Sequence, residues 1–211
     1  MDARERLLVN LGCGTNPADG WVNLDRSPGL ELRRVPPIVR RALSALGLTE
    51  SLTEWPDNVR RVDATRGLPF ADGSVDAVYS SHMLEHLSAA DAGRVLDECR
   101  RVLKPSGVLR LALPDLRAMA AAYVASIAPD AADRFMEQTM LGWSEMPKGV
   151  RRLVDMASGA RHRWMYDSAS IQQRCRDRGF ATEEWDFREG KCPDLAAVEH
   201  RKESFFVEAY R

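Results

Sequence analysis

Two glycines and two carboxylates, each at the end of a short apolar run, carry the first chemistry legible in this 211-residue chain. Leu7 to Leu11 is an apolar run leading into Gly12-Cys13-Gly14, the pattern of a buried strand that turns sharply at its carboxyl end. Glycine is wanted in such a turn because a side chain would keep a ligand away from the backbone. Trp21 to Asp25 reads as a second short strand with a carboxylate at its tip, and Val59 to Asp63 as a third. In open parallel sheets ligands bind outside the carboxyl ends of the strands, so a glycine loop beside a tip acid outlines a nucleoside site. A carboxylate there can accept from both vicinal hydroxyls of a ribose. The dinucleotide fingerprint, however, needs a third glycine opening a helix and an acid about 20 residues on. Gly20 comes too late, Asp25 comes early, and Pro17 interrupts any helix between them. The expected ligand carries ribose and lacks a pyrophosphate, which excludes a standard NAD site.

The elements that position these groups follow from periodicity. Val75 to Ser81 reads as a fourth strand. Ser88 with Asp91 resembles a capping box, and the helix after it sets Ala92, Val95, Leu96, Cys99, Val102 and Leu103 on one stripe. Lys104 to Gly107 reads as a turn and Val108 to Leu113 as a fifth strand. Strands alternating with helices predict an α/β fold with a parallel sheet covered on both faces. Two helical stretches interrupt this order. One is an insert over about 29–57, containing an amphipathic helix from Ile38 to Leu46 stopped by Gly47. The other, over about 117–165, follows Asp115, and five of the eight methionines fall within it between Met136 and Met165. Core packing accounts for that second stretch, and so does a pliable lid over an apolar or variable substrate. In the tail, Ser168 is expected to cap a helix stopping at Gly179, with Phe180 to Phe187 and Glu203 to Tyr210 forming a final hairpin-like pair.

Taken in order, Asn10 to Gly14, Asp25, Asp63, the Leu68-Pro69-Phe70 loop, Val75 to Leu87 and Arg101 to Gly107 resemble the class I S-adenosylmethionine-dependent methyltransferases, closest to the small bacterial type-11-like group. The resemblance covers residues 7–116 clearly and the tail loosely. It implies a Rossmann-like, seven-stranded, mostly parallel sheet whose last strand is antiparallel, in one domain over 1–211. It also implies S-adenosylmethionine as cofactor. Gly12 and Gly14 would lie at its methionine part, Asp25 at the ribose, Asp63 and Ala64 at the adenine, and Ser81 and His82 at the methyl-donor end. The family often has an acid where Asn10 stands, and its first crossover helix is usually longer than the space available here.

Such a cofactor is already activated, so the protein's work is to align an acceptor with the methyl, and proximity of this kind supplies roughly 7–11 kcal/mol. A hydroxyl acceptor also needs a base. His82, Asp115 and His162 are the candidates, the last within the run His162 to Asp167. Asp115 after Pro114 has a plainer reading as a helix cap, and His162 as a packing histidine. His86 reads as a loop anchor and His200, among charges, as a solvated residue. His82-Met83-Leu84-Glu85-His86 also fits the H-x-x-E-H pattern of a zinc peptidase helix. That reading needs both histidines on one exposed helical face and an acidic ligand downstream. The motif instead emerges from a buried strand, and no metal site is assigned.

Composition narrows the rest. A net charge of −1 gives no pull towards nucleic acid, and basic residues gather only locally, at Arg151-Arg152 and Arg161 to Arg163. These admit an acidic acceptor. No apolar run reaches the roughly 18 residues of a membrane span. The amino end lacks a signal peptide's apolar stretch, and the four scattered cysteines suit a reducing compartment, so a cytoplasmic protein is expected. The expected function is methyl transfer to an oxygen or nitrogen of a small metabolite, such as a sugar or natural-product hydroxyl, by a monomer or homodimer. The alternative is a non-catalytic cofactor-binding protein acting in regulation or assembly.

Overall fold

The structure, a computed structural model, describes residues 6–32, 35–36, 38–39, 41, 55–142, 145 and 161–211. Most of the helix expected over 38–46, and Trp143, Met146, Met156 and Arg151-Arg152, lie outside the described residues. Seven strands form one sheet: β1 (Leu8–Leu11), β2 (Val22–Asp25), β3 (Val59–Arg61), β4 (Val75–Ser81), β5 (Leu103–Pro114), β6 (Ala181–Trp185) and β7 (Ser204–Tyr210). Their spatial order is β3-β2-β1-β4-β5-β7-β6. The first five are mutually parallel, and β7 runs antiparallel to both β5 and β6. The six described helices are α1 (Gly29–Leu32), α2 (Ala89–Val102), α3 (Leu116–Ala125), α4 (Ala131–Thr139), α5 (Ser168–Arg176) and α6 (Leu195–Val198). No described helix is long and apolar enough to cross a membrane.

Alternation along the strands builds two cores. Val9, Leu11, Val78 and Leu111 face a cluster completed by Val95, Leu96 and Cys99 of α2 and Ile171 and Cys175 of α5. Leu8, Ala77, Tyr79 and Ala112 face the other way, onto Trp21, Cys192, Leu195 and Val198. The first crossover reaches that second face without a helix. Asn23 organises it instead: its Oδ1 accepts from the Ala18 amide and Asn10 Nδ2, and its Nδ2 donates to the Ala18 and Trp21 carbonyls. One buried side-chain amide thus satisfies the backbone of a turn too short for helical ladders.

Several expected boundaries shift for local reasons. β3 stops at Arg61, and Asp63 instead caps a single 3-10 turn, accepting from the Thr65 amide. Lys104 to Gly107 is a bulge inside β5, since Val75 pairs with Leu103 but Ala77 with Val108. Lys104 Nζ fastens that bulge by reaching both oxygens of Asp76 at 2.7 Å. Ser88 caps α2 as expected, and Leu103 of the stripe falls in β5. In the tail the cap is Asp167, not Ser168, because Asp167 forms a reciprocal box with Ser170. Of the second helical stretch, α3 buries none of its residues, and Tyr123 packs instead on Phe135 of α4 with ring centroids 5.3 Å apart.

Across the antiparallel seam, β5 and β7 hold an ionic centre. Arg110, completely buried, meets Glu199 at 2.9 and 3.0 Å and Glu208, its register partner, at 3.6 Å. It also donates to the carbonyls of Asp186 and Glu189, so the segment between β6 and β7 is pinned to the sheet.

Candidate active site

The loop after β1 is shaped by its two glycines. Gly12 has φ +73° and its amide donates to the Leu24 carbonyl at 2.8 Å. A Cβ added there would stand 2.5 Å from Cγ of Met83, so glycine is required for close packing as well as for the left-handed turn. Gly14, at φ +57°, differs: a Cβ would meet nothing within 4 Å, which means the backbone here borders open space. Its amide donates to Asp25 Oδ2 at 2.9 Å, while Asp25 Oδ1 accepts from the Ser27 amide at 2.7 Å. The tip acid of β2 therefore ties together the two loops that flank it.

A cavity of about 450 Å³ opens at the carboxyl ends of these strands. It brings together Asn10, Gly12, Gly14, Asp25, Asp63, Ala64, Ser81 and His82, all eight residues expected to surround a cofactor. Asn10 is buried, with Nδ2 given to Asn23, which leaves its carbonyl end as the acceptor. Burial alone would raise the Asp63 pKa, but hydrogen bonds from Thr65 and the charges of Arg26 and Arg66 outweigh it and hold the carboxylate below its usual range. The donor set fits an adenosyl sulfonium: carboxylates for hydroxyls and amino groups, and bare backbone for close approach.

At the far end of the cavity the chain leaves β4 through a strained bend. His82 has φ +50°, and its amide donates to the Ala112 carbonyl at 3.0 Å. Its Nε2 lies 2.8 Å from Ser204 Oγ and its Nδ1 3.4 Å from Glu85 Oε1. Burial, then the nearby Arg201 charge, push the His82 pKa down to about 4, so the ring is neutral at physiological pH. Glu85 follows in a 3-10 turn, Leu84–His86, and is completely buried. Desolvation pushes its pKa up to about 7. This turn is not the peptidase helix of the H-x-x-E-H pattern.

Asp115 and His162 are not among the cavity-lining residues. Asp115 Oδ1 accepts from the amides of Arg117 and Ala118, as a cap for α3. His162 is buried behind the turn, Nδ1 2.8 Å from the Thr139 carbonyl and Nε2 4.0 Å from Glu85 Oε1. Conversely, the cavity includes Arg26, His86, His200 and Arg201, none of which the sequence singled out as cofactor or acceptor residues. His200 is exposed as expected, yet it borders the site. Arg201 carries no motif; only the return of the chain into β7 sets it beside His82.

A family model described as a methyltransferase domain matches residues 9–111. Among curated proteins, the chain is 29% identical over 109 residues to an uncharacterized 37.1 kDa protein in transposon TN4556 of Streptomyces fradiae. That match covers 47% of this chain and 31% of the relative, so the chain spans about a third of that relative's length. Among solved structures, a SAM dependent methyltransferase from Archaeoglobus fulgidus superposes with TM-score 0.52 at 13% identity, covering 98% of this chain and 86% of the other. An S-adenosylmethionine dependent methyltransferase from Mesorhizobium loti gives TM-score 0.50 at 20% identity, covering 100% and 93%. These structures share the fold of this chain.

Proposed function

From a chain whose residues 9–111 match the methyltransferase-domain family model, on the Rossmann-like fold shared with S-adenosylmethionine-dependent enzymes, we propose methyl transfer to an oxygen or nitrogen of a small metabolite. The observation that carries this reading is the convergence of Gly12, Gly14, Asp25 and Asp63 on one cavity bounded at its other end by Ser81 and His82. When bound, the cofactor supplies a methyl already activated on a sulfonium. Asp25 holds the ribose hydroxyls with the lone pairs not used on Gly14 and Ser27. Asp63 and Ala64 receive the adenine, and the Asn10 carbonyl accepts from the ammonium. Ser81 and His82 border the acceptor. A sugar or natural-product hydroxyl is the first choice of acceptor, and Arg201 beside His82 favours one that carries an acidic group.

His82 is unprotonated and can accept a proton, but with a pKa near 4 it is a weak base for a hydroxyl. Alignment therefore supplies most of the acceleration. The test is a panel of hydroxyl and amine acceptors, with and without carboxylates, read by S-adenosylhomocysteine release. Turnover on at least one supports the proposal. Cofactor binding without turnover on any acceptor favours a regulatory or assembly role, and calorimetry showing no cofactor binding overturns both.

A further inference from the structure

We propose that Glu85, His86 and His162 bind one divalent first-row transition ion at the His82 end of the cavity. The ligand atoms of these three side chains lie within 4.8 Å of one another. Among the described residues, neither carboxylate oxygen of Glu85 has a hydrogen-bond partner, although the residue has no exposed surface. A buried carboxylate is ordinarily matched by donors, a counter-charge or a metal.

The imidazoles are turned to supply the last of these. A backbone carbonyl can only accept, so the nitrogen facing it carries the proton. His162 Nδ1 faces the Thr139 carbonyl at 2.8 Å, and His86 Nδ1 faces the Arg161 carbonyl at 3.3 Å. In the neutral rings both Nε2 atoms then hold lone pairs, and that of His162 is directed at the lone pairs of Glu85. Such an arrangement is repulsive unless a proton or a metal ion stands between the groups. The 4.0 Å from His162 Nε2 to Glu85 Oε1 is too long for a hydrogen bond and suits two atoms each about 2 Å from a shared ion. Metal-ligating histidines commonly donate their second nitrogen to a carbonyl, which fixes ring and tautomer.

The two ligand-bearing segments, 76 residues apart, are held together by main chain: the amides of Arg163 and Trp164 donate to the Glu85 carbonyl at 2.7 and 3.2 Å. Two imidazoles and one carboxylate select a first-row transition ion over magnesium or calcium, and three protein ligands leave a coordination position open. His86 and His82 both line the cavity. Resting on the transferase reading, that open position takes the acceptor's hydroxyl and lowers its pKa, its proton leaving to solvent, which relieves the weak base His82 of that task.

The full chain, stripped with a chelator, is titrated separately with Zn²⁺ and Mn²⁺. Binding is read by calorimetry, by metal content after desalting and by thermal melting. One ion per chain is expected, with a rise in Tm, and Glu85→Gln and His162→Ala should each weaken binding at least a hundredfold. Glu85→Gln keeps the shape and removes the buried charge, so its Tm in chelator should equal or exceed that of the wild type. Wild-type binding of much less than one ion per chain, or binding unchanged in Glu85→Gln, overturns the site. S-adenosylmethionine calorimetry on the same samples separates the two proposals: a wild type that binds the ion but not the cofactor upholds the ion site and removes its catalytic use.

Discussion

The amide of Gly14 donates to Asp25 Oδ2 at 2.9 Å, so the acid at the tip of β2 holds the very loop that borders the cavity. Asp25 is thus a clamp on the glycine turn as well as the proposed acceptor of the ribose hydroxyls.

Asp25→Ala should therefore weaken S-adenosylmethionine binding by about 2–3 kcal/mol, the range for losing charge-assisted hydrogen bonds. Asp25→Asn, which keeps an acceptor oxygen, should fall between that variant and the wild type. Calorimetry on the two variants checks the ranking, and unchanged affinity in Asp25→Ala removes the residue from the site.

The two glycines should separate in a stability assay. Gly12→Ala forces a Cβ against Met83 and should cost about 2–3 kcal/mol, combining overpacking with a left-handed backbone. Gly14→Ala meets no neighbour and should cost only about 1 kcal/mol. Urea melts of both, and of Gly12→Ala in a Met83→Ala background, test this. Relief of part of the Gly12→Ala loss in the double variant identifies the Met83 contact as its cause.

Acid stability should depend on Asp76. Burial opposes ionisation of this carboxylate, but hydrogen bonds from Lys104 and the Leu7 amide and the charges of Lys104 and Arg6 outweigh it, leaving the folded-state pKa below the usual aspartate value. A depressed pKa stabilises the fold above the unfolded value, near 3.8–3.9, and that contribution is lost as pH falls through the folded value. Asp76→Asn should lower stability at neutral pH and flatten the loss below about pH 4. Denaturant midpoints at stepped pH measure both, and parallel curves for variant and wild type refute the linkage.

Breaking the ionic centre in the β5–β7 seam should be costly. Arg110→Met leaves Glu199 and Glu208 buried without their cation, and removal of one partner from such a group typically costs about 3–5 kcal/mol. A loss under about 1 kcal/mol in a reversible melt would mean that the acids find other partners.

Local patterns in the sequence carried much of this molecule. Val75 to Ser81 is bounded where alternation ends, Ser88 caps the helix it precedes, and the glycine turn with Asp25 and Asp63 already outlined the cavity, because each depends on neighbours within a few residues. What was not legible depends on distant ones. Lys104 to Gly107 has the composition of a turn, yet pairing with β4 stretches it into a bulge anchored on Asp76. Asp167 outcompetes Ser168 for the cap through its exchange with Ser170. The H-x-x-E-H run could not disclose that Glu85 would be buried without donors, since that follows from the arrival of residues 162–164 against its backbone.

The position of β7 has a consequence for how the molecule is assembled. Among the described residues β6 joins the sheet through β7 alone, and β7 pairs with β5 across roughly ninety residues of chain, a separation that makes this docking slow. Until it happens, β5 offers an open margin whose residues from Gly107's neighbour Val108 through Pro114 are all buried in the finished protein. An incompletely folded chain thus exposes a long, strand-competent edge, apolar but for Arg110, and crowding at that stage favours self-association through β5.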